Sequence, residues 1–280
     1  LKQAEYRNSL WLNRGDLRFE RHAASAFEGS KDPRVHGLPS TAAFGDYDGD
    51  GDEDLFVGMG YGPSRLYRNR FEETGALDFE EVTNVAGFSG HTVCLTAVFF
   101  DPDLDGDADL LVGNAMNPYL PDYTEATPLN PFSLPQPAYE GDRRMFHFMH
   151  ASWQNAVNGG ENIFYENQGD GTFARRMASE LGMPETHWTL ALNTADFDNN
   201  GLPDIYAASD FGPDDVYLNR GGLRFERLAG KTFGSIGRDT YKGMNASIAD
   251  FDGSGTPDVY VSNVHAPLQA EGSLLWLTEP

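Results

Sequence analysis

Four short stretches of the chain carry oxygen-bearing side chains at a fixed spacing that suits a hard cation. They begin at Asp46, Asp101, Asp196 and Asp250, with such side chains at positions one, three, five and nine and glycine at position six. This alternation lets one short loop wrap Ca²⁺, which takes about six to eight oxygen ligands, and the carbonyl oxygen of position seven can add another. The predicted chemistry is calcium coordination.

These stretches are loop 1 at residues 46–54, loop 2 at 101–109, loop 3 at 196–204 and loop 4 at 250–258. Loops 1 and 2 carry four predicted carboxylate ligands and loops 3 and 4 carry three, so the first two are expected to bind more tightly. Up to four Ca²⁺ ions are predicted. The predicted ligands are Asp46, Asp48, Asp50, Asp54 and the Asp52 carbonyl; Asp101, Asp103, Asp105, Asp109 and the Asp107 carbonyl; Asp196, Asp198, Asn200, Asp204 and the Leu202 carbonyl; and Asp250, Asp252, Ser254, Asp258 and the Thr256 carbonyl.

An EF-hand differs from these loops at position twelve, where it has a bidentate Glu and a following helix. Here that position holds Val or Ala inside an apolar run, so an EF-hand is excluded. Ordinary Asp-Gly turns are the simpler alternative, but a turn requires no fixed carboxylate register. The loops hold 17 of the 43 acidic residues, and packed carboxylates repel one another unless a cation lies between them. Calcium binding is therefore favoured.

The net charge of -23 and the pI near 4.4 exclude nucleic acid as a partner, because a phosphate-binding surface needs clustered Lys and Arg. No apolar run is long enough to span a membrane. A hydrophobic content of 40% indicates a folded chain in spite of the acidity. The single cysteine, Cys94, lies in an apolar run and is predicted to be a buried, inert thiol.

The loops are parts of a repeated unit. Their first residues lie 55, 95 and 54 residues apart, which indicates a period of about 54 with one insertion of about 40 residues. A short apolar run precedes each loop and a second run follows it, at residues 55–57, 110–112, 205–207 and 259–261. Continuous apolar character over so few residues is typical of strands that are buried on both faces. Segments 10–19, 66–79, 163–173 and 216–225 read as hairpins with Asn and Gly at the turn.

Four strands per unit of this size is typical of a propeller blade. The predicted fold class is all-β, a β-propeller of four-stranded blades with calcium-binding loops. Four repeats do not complete a ring, which suggests an incomplete ring, a fragment, or a chain completed by a partner or by further blades. The repeats are predicted at residues 10–58, 65–114, 162–210 and 215–263, with a Pro-rich insertion at 115–160 and the start of a fifth repeat at 273–280.

These motifs resemble the FG-GAP/VCBS repeats of integrin-like propellers, and among them the proteins that carry an ASPIC/UnbV domain. The similarity is clearest at residues 209–219, at 242–253 and at 258–263. The resemblance implies a calcium-stabilised propeller, secreted, periplasmic or at the cell surface, that serves adhesion, assembly or ligand binding. It implies no defined reaction.

The first functional hypothesis is a protein-interaction or assembly module. A carbohydrate-binding propeller, with Trp153, Trp188 or tyrosines stacked on sugars, is the first alternative. The second is a metal- or carboxylate-dependent enzyme, such as a lyase, with its site at the propeller mouth. No nucleophile, base and orienting group occur at a diagnostic spacing, so catalysis has no support from the sequence.

The insertion is where specificity for a partner is expected, although an arm that packs on a neighbouring blade is an equal alternative. His147 and His150, together with His187, could form a transition-metal site, but packed or surface histidines are commoner. Arg14–Asp16 is an integrin-type tripeptide that aligns with other hairpin turns, which favours a structural role. Asn245 begins a glycosylation sequon inside a predicted strand, where its use is not expected.

Overall fold

The computed structural model describes residues 9–22, 37–152, 157–210, 212–228, 230, 236, 242–264 and 272–278. Strands dominate these residues, and every paired strand is antiparallel to its neighbour. The strands are β1 Trp11–Asn13, β2 Phe19–Arg21, β3 Pro39–Gly45, β4 Asp54–Met59, β5 Arg65–Asn69, β6 Phe79–Glu81, β7 Cys94–Phe100, β8 Asp109–Asn114, β9 Ile163–Asn167, β10 Phe173–Met177, β11 Thr189–Ala195, β12 Asp204–Ser209, β13 Asp215–Asn219, β14 Phe225–Arg227, β15 Gly243–Ala249, β16 Asp258–Asn263 and β17 Leu274–Trp276.

Two α-helices and one 3₁₀ helix complete the elements of the described residues: α1 Phe71–Thr74, α2 Arg144–Ser152 and the 3₁₀ helix Ala178–Leu181. Neither α-helix is long and apolar enough to cross a membrane. Helix α1 lies in the hairpin between β5 and β6, and α2 lies in the insertion between β8 and β9.

The strands form four sheets and a separate β1–β2 hairpin. Sheet 1 is β3-β4-β5-β6, sheet 2 is β7-β8-β9-β10, sheet 3 is β11-β12-β13-β14 and sheet 4 is β15-β16-β17. Each sheet therefore joins an acidic loop to the hairpin that follows it, whereas the predicted repeat limits join each loop to the hairpin before it. The segment expected to open a fifth repeat supplies β17, which pairs with β16 inside sheet 4.

The first strands of the four sheets lie side by side, β3 next to β7, β7 next to β11 and β11 next to β15. In each sheet the pairing of the first two strands contains one register shift, at residues 39–41, 94–96, 189–191 and 243–245. The four sheets thus repeat one geometry in a consecutive row.

The core lies between consecutive sheets. On β8, Leu110 and Val112 pack with residues of sheet 1, while Leu111 packs with residues of sheet 3. On β12, Ile205 faces sheet 2 and Tyr206 faces sheet 4. Alternate residues of these second strands are therefore buried against opposite neighbours, which explains their continuous apolar character. The predicted burial on both faces is confirmed for β4, β8 and β12, whereas in β16 Tyr260 is exposed, so that strand is buried on one face only.

The far face of sheet 1 packs with Leu10, which precedes β1. A cavity of about 410 Å³ lies there, lined by Ser9 and Leu10 and by residues of β3 and β4. Cys94 is fully buried at the start of β7, and this burial raises the pKa of its thiol to about 12. The thiol is therefore protonated at neutral pH, as expected for an inert core cysteine.

Candidate metal centres

The four acidic loops occupy equivalent places in the fold, because each joins the first two strands of its sheet. At position six, Gly51, Gly106, Gly201 and Gly255 have φ angles of 95°, 97°, 88° and 88°. This left-handed conformation strains any residue with a Cβ, so the glycine is required by the bend itself. The prediction that these stretches are loops between neighbouring strands is confirmed.

The first aspartate of each loop shapes the bend. Its carboxylate accepts a hydrogen bond from the position-six N–H, at 2.8–3.0 Å in all four loops. Such bonds hold the loop backbone around its own carboxylates. In loop 4, this donation by the Gly255 N–H lowers the pKa of Asp250.

The ninth-position aspartate is buried and anchors the loop to the third strand. In loop 1, Asp54 accepts hydrogen bonds from the Tyr47 N–H at 3.0 Å and the Asn69 N–H at 2.8 Å. Asp204 and Asp258 make the same pair of bonds in loops 3 and 4. Burial raises the pKa of Asp54 to about 7 and that of Asp109 to about 8, because the charged forms are withdrawn from water.

All the carboxylates predicted as ligands converge in loops 3 and 4, whereas in loops 1 and 2 three of the four converge and Asp54 and Asp109 lie outside the converging sets. Three acidic side chains in each place one oxygen within 4.8 Å of the others. Asn200 of loop 3 also ties the loop to β13, because its Nδ2 donates to the Asn219 carbonyl at 2.9 Å. The predicted position-seven carbonyls remain predictions. The converging sets are Asp46, Asp48 and Asp50; Asp101, Asp103 and Asp105; Asp196, Asp198 and Asp204; and Asp250, Asp252 and Asp258.

Several of these oxygens are buried without a hydrogen-bond donor. In loop 1 they are the Oδ1 atoms of Asp46 and Asp48, and in loop 2 the Oδ1 atom of Asp103. Desolvation by burial raises the pKa of both Asp48 and Asp103. A buried carboxylate oxygen without a partner is costly, and a cation is the partner that an oxygen-only site fits best. Loops 1 and 2 thus have the donor set of a hard divalent cation.

Arginine side chains reach two of the loops. Arg68 Nε lies 2.6 Å from Asp48 Oδ2 in loop 1, and Arg220 Nη1 lies 2.7 Å from Asp198 Oδ2 in loop 3. Among the described ion pairs, loops 2 and 4 receive no such contact. An ion entering loop 1 or loop 3 has to compete with a guanidinium, which changes the affinity order expected from carboxylate number alone. Loop 2 becomes the strongest candidate.

An asparagine at the end of the third strand connects neighbouring loops. Asn167 Nδ2 donates to the Tyr47 carbonyl of loop 1 at 2.7 Å, and Asn219 Nδ2 donates to the Pro102 carbonyl of loop 2 at 2.7 Å. Both asparagines also accept a hydrogen bond from the glycine N–H two residues later. The sequence indicated turn residues at these positions, and the connection between sheets escaped it because the partner is a backbone carbonyl more than 100 residues away.

A family model described as "FG-GAP-like repeat" matches residues 46–112, 155–207 and 196–261, more than half of the chain. The chain belongs to the FG-GAP-like repeat family. Each match ends in the strand that follows an acidic loop, at residues 112, 207 and 261. The more specific association with ASPIC/UnbV proteins remains a prediction.

Among solved structures, the crystal structure of the V. cholerae biofilm matrix protein Bap1 is similar to this FG-GAP chain, with 18% identity and a TM-score of 0.35. The similarity covers 90% of this chain and 38% of that one, so the chain spans little more than a third of that structure. A likeness this remote carries no information about function. No curated protein matches the chain.

The insertion of the second FG-GAP sheet packs against both neighbouring sheets. Leu120 and Leu129 of the insertion share a hydrophobic cluster with Tyr61, which follows β4, and with Trp188, which precedes β11. Trp188 Nε1 also donates to Asn158 Oδ1 at 2.9 Å. The insertion therefore packs on its neighbours, while its use in binding a partner stays a prediction. Residues on the outer side, including Tyr139 and Phe146, are exposed.

The three histidines of the hypothetical transition-metal site do not converge. His147 and His150 are exposed on α2, whereas His187 is buried and its Nδ1 lies 2.7 Å from Asp215 Oδ2. Asp215 also accepts a hydrogen bond from Arg227 Nε at 2.6 Å, so Asp215 links His187 to Arg227. No histidine takes part in the converging ligand groups of the described residues.

The remaining sequence motifs lie where the pattern placed them. Arg14–Asp16 forms the β1–β2 turn, where the Gly15 N–H donates to Asn13 Oδ1 as glycines do in the β9–β10 and β13–β14 hairpins. Asn245 lies in β15. Trp188 is half-buried in the cluster of the insertion, and Trp153 lies outside the described residues, so stacking of either on a sugar stays a prediction.

Proposed function

We propose that this chain is a calcium-dependent interaction module, in which Ca²⁺ bound at the four acidic loops holds the row of sheets in a binding-competent shape. The observation that carries the proposal is the group of buried carboxylate oxygens without donors in loops 1 and 2. The recurrence of the same converging acids in all four loops supports it. We further propose that the row of sheets is an arc of a β-propeller, because its first strands lie side by side in chain order.

Two observations support a role in protein interaction: membership of the FG-GAP-like repeat family and the exposed surface of the insertion. FG-GAP repeats are in general protein-interaction modules. The insertion offers an exposed surface with Tyr139 and Phe146 while its inner side holds it to the sheets. Aromatic residues of this kind are enriched at protein interfaces. The partner is thus expected to be a protein that contacts the insertion.

An extracellular, periplasmic or cell-surface location fits the loops. Loops 3 and 4 have fewer carboxylate ligands, and sites of low affinity are filled only where calcium is abundant. Extracellular modules bind Ca²⁺ with dissociation constants of roughly 10⁻⁴–10⁻³ M. Loops with low affinity for Ca²⁺ are therefore filled outside the cytoplasm.

Thermal unfolding with and without a chelator tests calcium dependence. A ligand at about 100 times its dissociation constant stabilises the native state by about 2.7 kcal/mol per site, so Ca²⁺ is expected to raise the melting temperature clearly. An unchanged melting temperature in EDTA, together with no bound Ca²⁺ in equilibrium dialysis, refutes the calcium proposal.

A matched pair of variants in loop 2 assigns the site. Asp103→Asn removes the negative charge from a predicted ligand whose Oδ1 atom is buried, whereas Asp107→Asn removes the same charge from a residue predicted to bind through its carbonyl. We expect Asp103→Asn to lose one bound Ca²⁺ and Asp107→Asn to keep it. Equal loss in both variants would mean that net charge, rather than coordination, determines binding.

The interaction itself is tested by co-purification in calcium buffer followed by elution with chelator. The expected result is a defined protein that is retained with Ca²⁺ and released by EDTA. A chain that stays free of partners in both buffers contradicts the proposal, and retention that is insensitive to EDTA contradicts its calcium dependence. Hits on a glycan array in calcium buffer would instead favour the carbohydrate alternative.

A further inference from the structure

A second group of acids adjoins the converging set of loop 1 and shares only Asp50 with it. Asp50, Asp52 and Glu73 each place one carboxylate oxygen within 4.8 Å of the others. Glu73 belongs to α1, in the long β5–β6 hairpin, while the two aspartates belong to the loop. The group therefore joins two separate segments of sheet 1.

Asp52 is the residue that distinguishes this group from an ordinary surface cluster. It is only 8% exposed, and its Oδ1 atom is buried without a hydrogen-bond partner. Its other oxygen accepts the Glu72 N–H at 3.0 Å, which fixes the side chain between the loop and α1. A buried carboxylate held in this way, with one oxygen uncompensated, is expected to have a cationic partner.

Arg68 supplies only part of that compensation. Its guanidinium contacts Asp48, Asp50 and Glu73, so its single positive charge is divided among three carboxylates. Asp52 has no partner among the described ion pairs. Three carboxylates facing one guanidinium leave a negative excess before Asp52 is counted, and a dication would neutralise it.

We propose that Asp50, Asp52 and Glu73 form a second site for a hard divalent cation, adjacent to the one in loop 1. Asp50 belongs to both groups, and because a carboxylate has two oxygens it can face one cation with each. Arg68 has to turn away when the site fills. The inference rests on the proposed function for loop 1 and goes beyond it, since it adds a cation that only sheet 1 among the described sheets is built to hold.

Anomalous diffraction from crystals grown with Tb³⁺ in place of Ca²⁺ is the direct test. Two peaks are expected at loop 1, one among Asp46, Asp48 and Asp50 and the other among Asp50, Asp52 and Glu73. A single peak in loop 1 overturns the second site and leaves the proposed function standing. No peak in any of the four loops contradicts the proposed function as well.

Equilibrium dialysis with Ca²⁺ gives an independent test in solution. Glu73→Gln is expected to lower the number of bound ions by one, while Glu72→Gln, which removes the same charge one residue away on α1, is expected to leave it unchanged. Asp103→Asn reports on loop 2 in parallel. An unaltered number in Glu73→Gln, or the same reduction in Glu72→Gln, overturns the inference, while normal loss in Asp103→Asn shows that the loops themselves bind.

Discussion

Replacement of Asn219 by alanine should remove a hydrogen bond between sheet 3 and sheet 2 and lower the free energy of unfolding. The wild-type Nδ2 donates to the Pro102 carbonyl at 2.7 Å and the Pro203 carbonyl at 3.1 Å, and Oδ1 accepts the Gly221 N–H at 2.9 Å. Asn219 is completely buried, so water does not replace the lost partners. At about 1 kcal/mol for each of the three bonds, and about 1–3 kcal/mol for a buried group left unsatisfied, the expected loss is about 4–6 kcal/mol.

Asn69 provides the matched control, because it ends the third strand of sheet 1 in the equivalent place. Its Nδ2 donates to the Glu53 carbonyl at 3.2 Å within the same sheet, and its Oδ1 has no partner. Asn69→Ala is therefore expected to cost only about 1–2 kcal/mol. The difference between the two variants measures the inter-sheet bond together with the turn bond.

The assay is urea unfolding, followed by tryptophan fluorescence and by circular dichroism, first with Ca²⁺ and then with EDTA. Coincident transitions are required for a single free energy of unfolding. Equal losses in Asn219→Ala and Asn69→Ala, or a loss below about 1 kcal/mol in Asn219→Ala, would refute the assignment of an inter-sheet link.

Two further predictions concern charge. Arg68→Gln and Arg220→Gln should each tighten Ca²⁺ binding at their loop by roughly two- to five-fold, since a partly exposed ion pair contributes up to about 1 kcal/mol against the incoming ion; unchanged affinity in terbium luminescence titrations contradicts this. Burial lowers the pKa of His91, whose Nε2 lies 2.7 Å from the Leu129 carbonyl. The unfolded chain then binds the proton more readily, so this contribution to stability falls as the pH drops below about 6.5. Thermal unfolding between pH 7.5 and 5.5 should show a smaller decline in His91→Gln, and identical slopes would disprove the role of His91.

The repeated parts of the chain were accessible from sequence because their physics is local. Glycine at position six and aspartates in alternate positions specify the loop bend, and the short apolar runs specify strands that are covered on both faces. The second strands and the convergence of the acids in the loops followed from these patterns. A residue that recurs at the same position in several repeats can be recognised from the sequence, since each copy supports the same structural interpretation.

Features that occur once had no such signal. Arg68 precedes the asparagine that ends its strand whereas Arg220 follows its own, so the two share no repeat position. Glu73 comes near loop 1 only because the β5–β6 hairpin is long enough to contain α1. The packing of the insertion depends on Tyr61 and Trp188 of the neighbouring sheets, which no local pattern connects to it.

The side-chain hydrogen bonds of Asn167 and Asn219 run the same way, from the third strand of one sheet to the acidic loop of the sheet before it. Asn219 donates to the carbonyl of Pro102, between Asp101 and Asp103, and Asn167 donates to the carbonyl of Tyr47, next to Asp46. A cation that immobilises either pair of acids would also immobilise the anchor point of the following sheet. Ordering of one loop would then favour ordering of the next sheet, from the N-terminal sheets toward the C-terminal ones. Binding of the ion would therefore be cooperative, and the fraction of filled sites would rise more steeply with Ca²⁺ concentration than it does for independent sites.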